Sequence, residues 1–185
     1  MCLLVRSGRV KEDDIVRALK ENNEESFIEM VELYKNKIIS LCYSYTQDYG
    51  EAEDISQEVF ISIYKGIKNF REEASLSTYI YKITVSRCLD YKRRKNIKGF
   101  LTGLFQINKE IENTFDKDDK NAVREAVSNL PEDLRICIVL YYFIGLTQKE
   151  ISNILEISPK NVEGRIYRGK KRLKDYLKEG GFKFE

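Results

Sequence analysis

The residues with the clearest chemistry lie near the end of the chain, where two helix-start signals are followed by a run of cations. Residues 145–157 contain Thr147 and Glu150 at the Thr-x-x-Glu spacing of a capping box. Ser158 and Pro159 form a second start signal, because serine caps a first turn and proline is accepted at its first position. Two helices joined by a tight turn, the second one basic, are typical of a helix-turn-helix that reads duplex DNA.

The second helix of this motif is predicted to carry an apolar stripe, with most of its polar side chains off that stripe. Residues 158–178 include eight basic and two acidic residues. The N-terminal residues of a recognition helix reach base edges, so Lys160, Asn161 and Arg165 are candidates for base contact. The candidates for phosphate contact lie further along, at Arg168, Lys171 and Arg172. An ordinary solvated amphipathic helix is the alternative, and the capped helix before it makes that alternative less favoured.

A second candidate nucleic-acid surface lies in the first half of the chain, where a polar loop enters a helix. Tyr79, Tyr81 and Tyr91 are interleaved there with Lys82, Arg87 and the cations at 92–95. Aromatic rings beside cations suit single-stranded DNA, because each ring that stacks on an unpaired base contributes roughly 1–3 kcal/mol. The alternative for each tyrosine is packing in the core, and the two interpretations are about equally favoured.

An acidic helix face lies upstream of these residues. Asp54, Gln57 and Glu58 stand at i, i+3 and i+4, which places them on neighbouring turns of one face. Two carboxylates at this spacing could bind a metal or exchange protons, but no further cluster of acidic residues or histidine completes such a site. A solvated face is favoured over a catalytic one, and a surface for a basic or polar protein partner is the third interpretation.

The composition bounds the class of protein. The 185 residues are 42% hydrophobic and 34% charged, with a net charge of +2, no histidine and four cysteines. None of the cysteines has the CxxC spacing of a metal site, so we expect reduced buried thiols, no metal and no cofactor. The apolar stretch at residues 1–5 is too short for a signal sequence or a membrane span, which predicts a cytoplasmic protein that is not itself a membrane protein.

The elements that position these candidates are all predicted to be helices. Apolar residues recur at steps of three and four along residues 27–45, 52–70 and 80–91, and a short helix is predicted over residues 13–20. No strand pattern appears. The predicted fold is all-α, with two small helical domains at residues 1–95 and 120–185. A flexible linker at 96–119 joins them, and the second domain contains the helix-turn-helix.

Taken together, these motifs resemble the sigma factors of bacterial RNA polymerase that form the extracytoplasmic-function group. Residues 51–60, 70–71 and 77–83 are similar to the second conserved region of that family. Residues 130–151 and 162–173 are similar to the fourth. The resemblance covers nearly the whole chain apart from residues 96–119 and about the first ten residues.

The resemblance implies a role for each candidate surface. The Asp54, Gln57 and Glu58 face would bind the clamp helices of core polymerase. The loop before the tyrosine-rich helix would capture a flipped base of the −10 element, and the helix would hold the opened strand. This −10 set consists of Asn69, Phe70, Arg71, Ser75, Tyr79, Lys82, Arg87, Lys92, Arg93 and Arg94. The helix-turn-helix would read the −35 element with Lys160, Asn161, Glu163, Arg165, Arg168, Lys171 and Arg172.

Two positions depart from the family pattern. Tyr79 stands where the family usually has tryptophan, and Glu163-Gly164 stands where lysine or arginine followed by serine is common. A glutamate in the major groove accepts a hydrogen bond from the amino group of cytosine. The −35 sequence therefore cannot be copied from relatives. Gly164 either permits close approach to DNA or is simply tolerated in the helix.

The resulting hypothesis is a promoter-specificity subunit and not an enzyme. Its partners would be core RNA polymerase, promoter DNA and an anti-sigma factor, without a small-molecule substrate. The alternative is a stand-alone helix-turn-helix regulator, which leaves the acidic face at Asp54, Gln57 and Glu58 unexplained. An enzyme is the third candidate, and the lack of histidine and of a convergent acidic cluster argues against it.

Overall fold

The computed structural model describes residues 14–102 and 119–179, with side chains described for residues 14–96 and 122–179. Helix α1 covers residues 14–20. The remaining helices are α2 (Glu24–Thr46), α3 (Tyr49–Gly66), α4 (Leu76–Thr102), α5 (Asp119–Ser128), α6 (Glu132–Ile138), α7 (Gln148–Leu155) and α8 (Pro159–Glu179). The described residues contain no strand, which confirms the all-α prediction.

The predicted boundaries of the helix-turn-helix are confirmed by their hydrogen bonds. Thr147 Oγ1 accepts from the Glu150 backbone N–H at 3.3 Å, and Glu150 Oε2 accepts from the Thr147 N–H at 2.8 Å. Ser158 Oγ accepts from the Asn161 N–H at 3.2 Å. Gly145 ends the preceding helix with a left-handed φ of 87°. Local chemistry therefore sets the start of α7 and α8 and the end of the element before them.

Two short elements were not predicted. A 3₁₀-helix at Ile67–Asn69 follows α3, and a π-helix at Val139–Ile144 continues α6. The π-helix buries Leu140 and leaves Tyr142 and Phe143 exposed beside the helix-turn-helix. Helix α4 also runs to Thr102, past the predicted domain boundary at residue 95. Residues 103–118 of the predicted linker lie outside the described residues. The side chains of the apolar stretch at residues 100–105 also lie outside them.

Helices α1 to α4 form the first bundle around a row of fully buried side chains. The two-residue connection between α2 and α3 makes them neighbours, and Asp48 caps α3 by accepting from the Glu51 N–H at 2.9 Å. Cys42 and Cys88 are buried free thiols in this core, and Cys137 is a third in the second bundle, as predicted. The largest fully buried side chains of the first bundle are Met30, Ile38, Leu41, Ile55, Val59, Ile63, Ile80 and Tyr81.

Helices α5 to α8 form the second bundle, in which α8 packs closely on α6. Gly169 permits this approach, because a Cβ added there would lie only 2.7 Å from Ile138 Cγ1. Such a distance is far below ordinary van der Waals contact, so a larger residue would force α6 and α8 apart.

Replacing Gly169 with alanine is expected to lower the free energy of unfolding by about 1–3 kcal/mol, because it overpacks the contact with Ile138. The matched control is Gly164→Ala on the same helix, where the nearest atom to the added Cβ is the mobile end of Arg168 at 3.3 Å. Alanine should leave stability unchanged or raise it by up to about 1 kcal/mol there. Urea unfolding followed by circular dichroism measures both, and equal stabilities of the two variants would contradict the packing argument.

The two bundles pack against each other, which the sequence did not predict. Helix α6 and the π-helix contact α2, and α7 contacts α4. Arg135, with 8% of its surface exposed, lies at this contact. Its Nε donates to the Ser44 carbonyl at the end of α2 at 2.7 Å, and its Nη1 donates to the carbonyls of Ser128 and Leu130 at 2.7 and 3.0 Å. One guanidinium therefore joins the two bundles and the α5–α6 connection.

Burial lowers the pKa of Arg135 from its ordinary value, because the charged guanidinium loses water, while the nearby Glu132 carboxylate acts in the opposite direction. The three backbone carbonyls replace the lost water for three of its N–H donors. A buried charge is tolerated in proteins only when its donors are satisfied in this way.

Candidate nucleic-acid interface and polymerase surface

The recognition helix α8 turns its apolar stripe inward and most of its predicted DNA contacts outward. Val162, Ile166 and Gly169 are buried. The predicted contacts that are exposed are Lys160, Asn161, Glu163, Arg168, Lys171 and Arg172. Because Lys160 and Asn161 lie in the first turn of α8, they stand at the end of the helix that would enter the major groove.

Arg165 lies at the edge of the exposed face of α8, where that helix borders α6. Its side chain is half-buried, and its Nε lies 3.6 Å from Asp133 Oδ2 on α6. Burial raises the pKa of the Cys137 thiol, and Arg165, which hydrogen-bonds that thiol, lowers it. Arg165 therefore faces α6 and is not brought together with Lys160 and Glu163. Its contact with DNA stays a prediction.

A groove between the π-helix and α8 brings in residues that the sequence analysis did not select. Tyr167 is 70% exposed and lines this groove together with Lys160, Glu163, Gln148 and Tyr142. Tyr167 stands four residues after Glu163, so helical periodicity alone could have placed the two on one face. An exposed aromatic ring beside a glutamate and a lysine offers apolar contact and hydrogen bonding to the same stretch of DNA.

Two predicted −10 residues, Phe70 in the loop before α4 and Tyr79 in the first turn of α4, stack their rings. The Phe70 and Tyr79 rings lie 4.6 Å apart with 32° between their planes, and Lys20 Nζ lies 5.9 Å from the centre of the Phe70 ring. Asn69 and Arg71 are exposed beside them. Ring stacking of this kind makes a rigid platform on which a base could be held.

Ser75 and Tyr79 also have structural contacts of their own. Ser75 Oγ accepts from the Thr78 N–H at 3.2 Å, so it caps the start of α4. Burial raises the pKa of the Tyr79 hydroxyl, and a Cβ added at Gly66 would lie 2.8 Å from the Tyr79 oxygen. Gly66 thus makes room for this tyrosine. Tyr81 is only 1% exposed, which confirms the core interpretation for that residue.

The cations of α4 are joined to carboxylates and a hydroxyl instead of standing free. Arg94 Nη2 donates to Glu58 Oε2 at 3.2 Å on α3. Arg87 Nε donates at 3.0 Å to Ser62 Oγ, which also lies on α3. Arg93 pairs within α4 with Asp90 at 3.4 Å. Exposed ion pairs contribute only about 0–1 kcal/mol each, so phosphates can replace these carboxylates at little cost.

The predicted polymerase-binding face of α3 remains accessible to a protein partner. Asp54 and Gln57 are exposed, and Glu58 is half-buried and paired with Arg94. Ile61, one turn beyond Glu58 on the same face, is 53% exposed and adds an apolar contact to it. Among residues 14–102 and 119–179, no group of three or more cysteine or acidic side chains is placed to hold a metal ion.

Within the same described ranges, none of the helices is both long enough and apolar enough to cross a membrane.

Comparison with known proteins agrees with this division into two halves. Residues 30–97 match the family model described as Sigma-70 region 2, and residues 120–173 match the one described as Sigma-70, region 4. Among solved structures, the sigma factor RpoE from Bartonella quintana, in complex with the anti-sigma factor NepR, has a TM-score of 0.72 at 18% identity, covering 83% of this chain and 98% of that one. CnrH, in complex with the cytosolic domain of CnrY, has a TM-score of 0.67 at 20% identity, covering 91% and 97%.

Curated relatives extend the match along most of the chain. The ECF RNA polymerase sigma factor SigW of Bacillus subtilis is 30% identical over 178 residues, covering 89% of this chain and 95% of the relative. The ECF RNA polymerase sigma-E factor of Escherichia coli K12 is 26% identical over 181 residues, covering 90% and 94%. With both conserved regions present in order, the chain belongs to the extracytoplasmic-function sigma factors of bacterial RNA polymerase.

Proposed function

We propose that this sigma factor, which directs RNA polymerase to promoters at the start of transcription, divides that work among three surfaces. The α3 face with Asp54, Gln57 and Glu58 binds core polymerase. The loop before α4 and the cations of α4 bind the −10 element after it opens. The exposed face of α8 reads the −35 element as duplex DNA. The proposed domains are residues 1–95 and 120–185, joined by a linker at 96–119.

The polymerase contact follows from what the α3 face offers. It combines the exposed carboxylate of Asp54, the amide of Gln57 and the exposed apolar side chain of Ile61. Carboxylates repel DNA, so this face needs a protein partner with complementary charge.

The −10 contact follows from the stacked Phe70 and Tyr79 rings beside exposed Asn69 and Arg71. A base that leaves the duplex loses a few kcal/mol of stacking and pairing, and aromatic and polar groups in a pocket return part of that energy. The cations of α4, from Lys82 to Arg94, follow Tyr79 along the same helix and offer positive charge to the phosphates of the opened strand.

The −35 contact is the proposal's best-supported part, and one observation carries it. The capping box of α7 and the serine cap of α8 hold a helix whose first turn exposes Lys160 and Asn161 and whose next turns expose Glu163 and Tyr167. This combination of base-reading groups at a helix N-terminus suits the major groove. A stand-alone regulator would use the same helix, but membership of the sigma family and the acidic α3 face do not favour it.

Two wider expectations follow from the family. The solved relatives RpoE and CnrH are bound to NepR and to the cytosolic domain of CnrY, and NepR is named as an anti-sigma factor. We infer that this chain is also held by an anti-sigma factor. Because its work takes place on polymerase and promoter DNA, we place it in the cytoplasm and assign it no chemical reaction of its own.

Run-off transcription with purified core RNA polymerase tests the proposal directly. A genomic fragment library and core polymerase should give discrete promoter-specific starts only when this chain is present. Native gel electrophoresis or size-exclusion chromatography should show the chain bound to core. A chain that does not bind core, or that gives no discrete start, would contradict the sigma assignment of these surfaces.

Replacing Arg168 with alanine is expected to weaken binding to duplex DNA, because it removes one phosphate contact. The slope of log affinity against log salt should become shallower by about one. The matched control is Lys35→Ala, which removes one exposed cation from α2, away from the proposed DNA surfaces. Fluorescence anisotropy over a salt series measures both. An unchanged slope would remove Arg168 from the phosphate contacts.

A further inference from the structure

Two cations of the proposed −10 surface are paired with carboxylates of the other bundle. Lys82 Nζ on α4 lies 3.2 Å from Oε1 of Glu156, which forms the turn of the helix-turn-helix. Lys92 on α4 donates to Glu132, in the first turn of α6. The second bundle therefore places two negative charges against cations that a DNA strand would need.

We propose that the free chain rests in a closed state in which Glu132 and Glu156 take the place of DNA phosphates on α4. The −10 strand and the second bundle then compete for the same cations. This inference rests on the proposed function, because it takes Lys82 and Lys92 as DNA contacts.

Buried apolar side chains also hold the bundles together in this state. Val85 of α4 and Ile136 and Ile154 of the second bundle belong to one buried apolar cluster. Arg135 adds its hydrogen bond to the Ser44 carbonyl at the other side of the contact. Apolar contact, a buried hydrogen bond and two ion pairs act together, while each exposed pair alone is weak.

The closed state is incompatible with simultaneous binding to both promoter elements. By their numbering the −35 and −10 elements lie about 25 base pairs apart, which is about 85 Å along B-form DNA. In the closed state the turn of the helix-turn-helix touches the −10 helix at Lys82. A compact chain of this length has a radius of gyration of only about 16 Å, so the bundles must separate before both elements are bound.

The pairing also explains how DNA or polymerase opens the chain. The Lys82 and Glu156 side chains are 58% and 73% exposed, so water and salt reach this pair. A strand that offers several phosphates can displace two carboxylates one after the other. Core polymerase would assist by holding the bundles at separate positions on its surface.

The test removes the two carboxylates and keeps the side-chain lengths. In the full chain, Glu132→Gln with Glu156→Gln should raise the affinity for fluorescent single-stranded oligothymidylate by about threefold to tenfold. The matched control is Glu125→Gln with Glu179→Gln, which changes the net charge equally at exposed positions of α5 and α8. The control should stay within about twofold of the unchanged chain. A gain no larger than that of the control would overturn the proposal.

Small-angle X-ray scattering supplies an independent readout of the closed state. The unchanged chain should scatter as a compact particle, and the doubly substituted chain should have a larger radius of gyration. Scattering from the unchanged chain that fits separated bundles would also overturn the proposal. Run-off transcription distinguishes failure of the closed state from failure of the proposed function. Promoter-specific starts without the gain in affinity would refute only the closed state. Absence of promoter-specific starts would refute the proposed function.

Discussion

Replacing Asp54 with lysine is expected to lower the affinity of this sigma factor for core RNA polymerase by roughly 30-fold or more. The substitution turns an exposed carboxylate at the centre of the α3 face into a cation, and like charges brought together at an interface cost several kcal/mol. Asp54 is exposed and caps no helix, so the fold should not change. Competition for core against a labelled copy of the unchanged chain measures the loss, and promoter-specific transcription should fall with it.

The matched control is Glu32→Lys on α2, which makes the same change of charge at another exposed position of the first bundle. It should bind core within about threefold of the unchanged chain, since long-range electrostatics alone are screened at physiological salt. The thermal unfolding and duplex DNA affinity of both variants should match those of the unchanged chain. Equal losses for Asp54→Lys and Glu32→Lys would show that net charge, not the α3 face, decides core binding.

Replacing Arg135 with alanine is expected to lower the free energy of unfolding by about 3–5 kcal/mol. The change removes three hydrogen bonds at once and leaves the carbonyls of Ser44, Ser128 and Leu130 without this donor. Unsatisfied buried acceptors cost about 1–3 kcal/mol each. Urea unfolding followed by circular dichroism measures the loss, and the contact between the two bundles should weaken with it.

Two variants define what Arg135 contributes. Arg172→Ala removes an exposed arginine from α8 and should change stability by less than about 0.5 kcal/mol. Arg135→Lys keeps the charge but should not restore stability, because an ammonium lacks the planar fork that reaches carbonyls on separate segments. Stability of Arg135→Ala equal to that of Arg172→Ala would show that the buried guanidinium is dispensable.

The helix boundaries of the helix-turn-helix could be predicted from the sequence. The Thr147–Glu150 capping box and Ser158 predicted two helix starts, and the structure confirms each by a hydrogen bond. Such signals can be predicted because the partners are three or four residues apart in the chain. The outward positions of Lys160, Asn161 and Glu163 followed from helical periodicity for the same reason.

The π-helix and the packing of Arg165 against α6 were not predicted from the sequence. A widened turn at Val139–Ile144 keeps the same apolar pattern as an α-helix, so periodicity does not distinguish the two. Arg165 was predicted to contact bases with Lys160 and Asn161 because all three lie near the N-terminus of the recognition helix. Its pairing with Asp133 depends on how α6 and α8 pack, and that distance is set by Gly169 against Ile138.

The sequence analysis identified two candidate surfaces in the first bundle but did not predict that they contact each other. Arg94 and Glu58 were assigned to DNA and to polymerase, and the structure pairs them at 3.2 Å across α4 and α3. Residues 36 positions apart give no local signal of contact. Only the packing of α3 against α4 makes this contact apparent.

The sequence by itself determined the all-α fold, the caps of the helix-turn-helix and the family to which the chain belongs, because all of these depend on spacing within short segments. The tertiary structure alone decided that the two bundles touch, that Arg135 donates to Ser44 across them, and that Glu132 and Glu156 cover cations of α4. Contacts of this kind join residues far apart in the chain, so they depend on how helix faces pack and leave no periodic pattern to read.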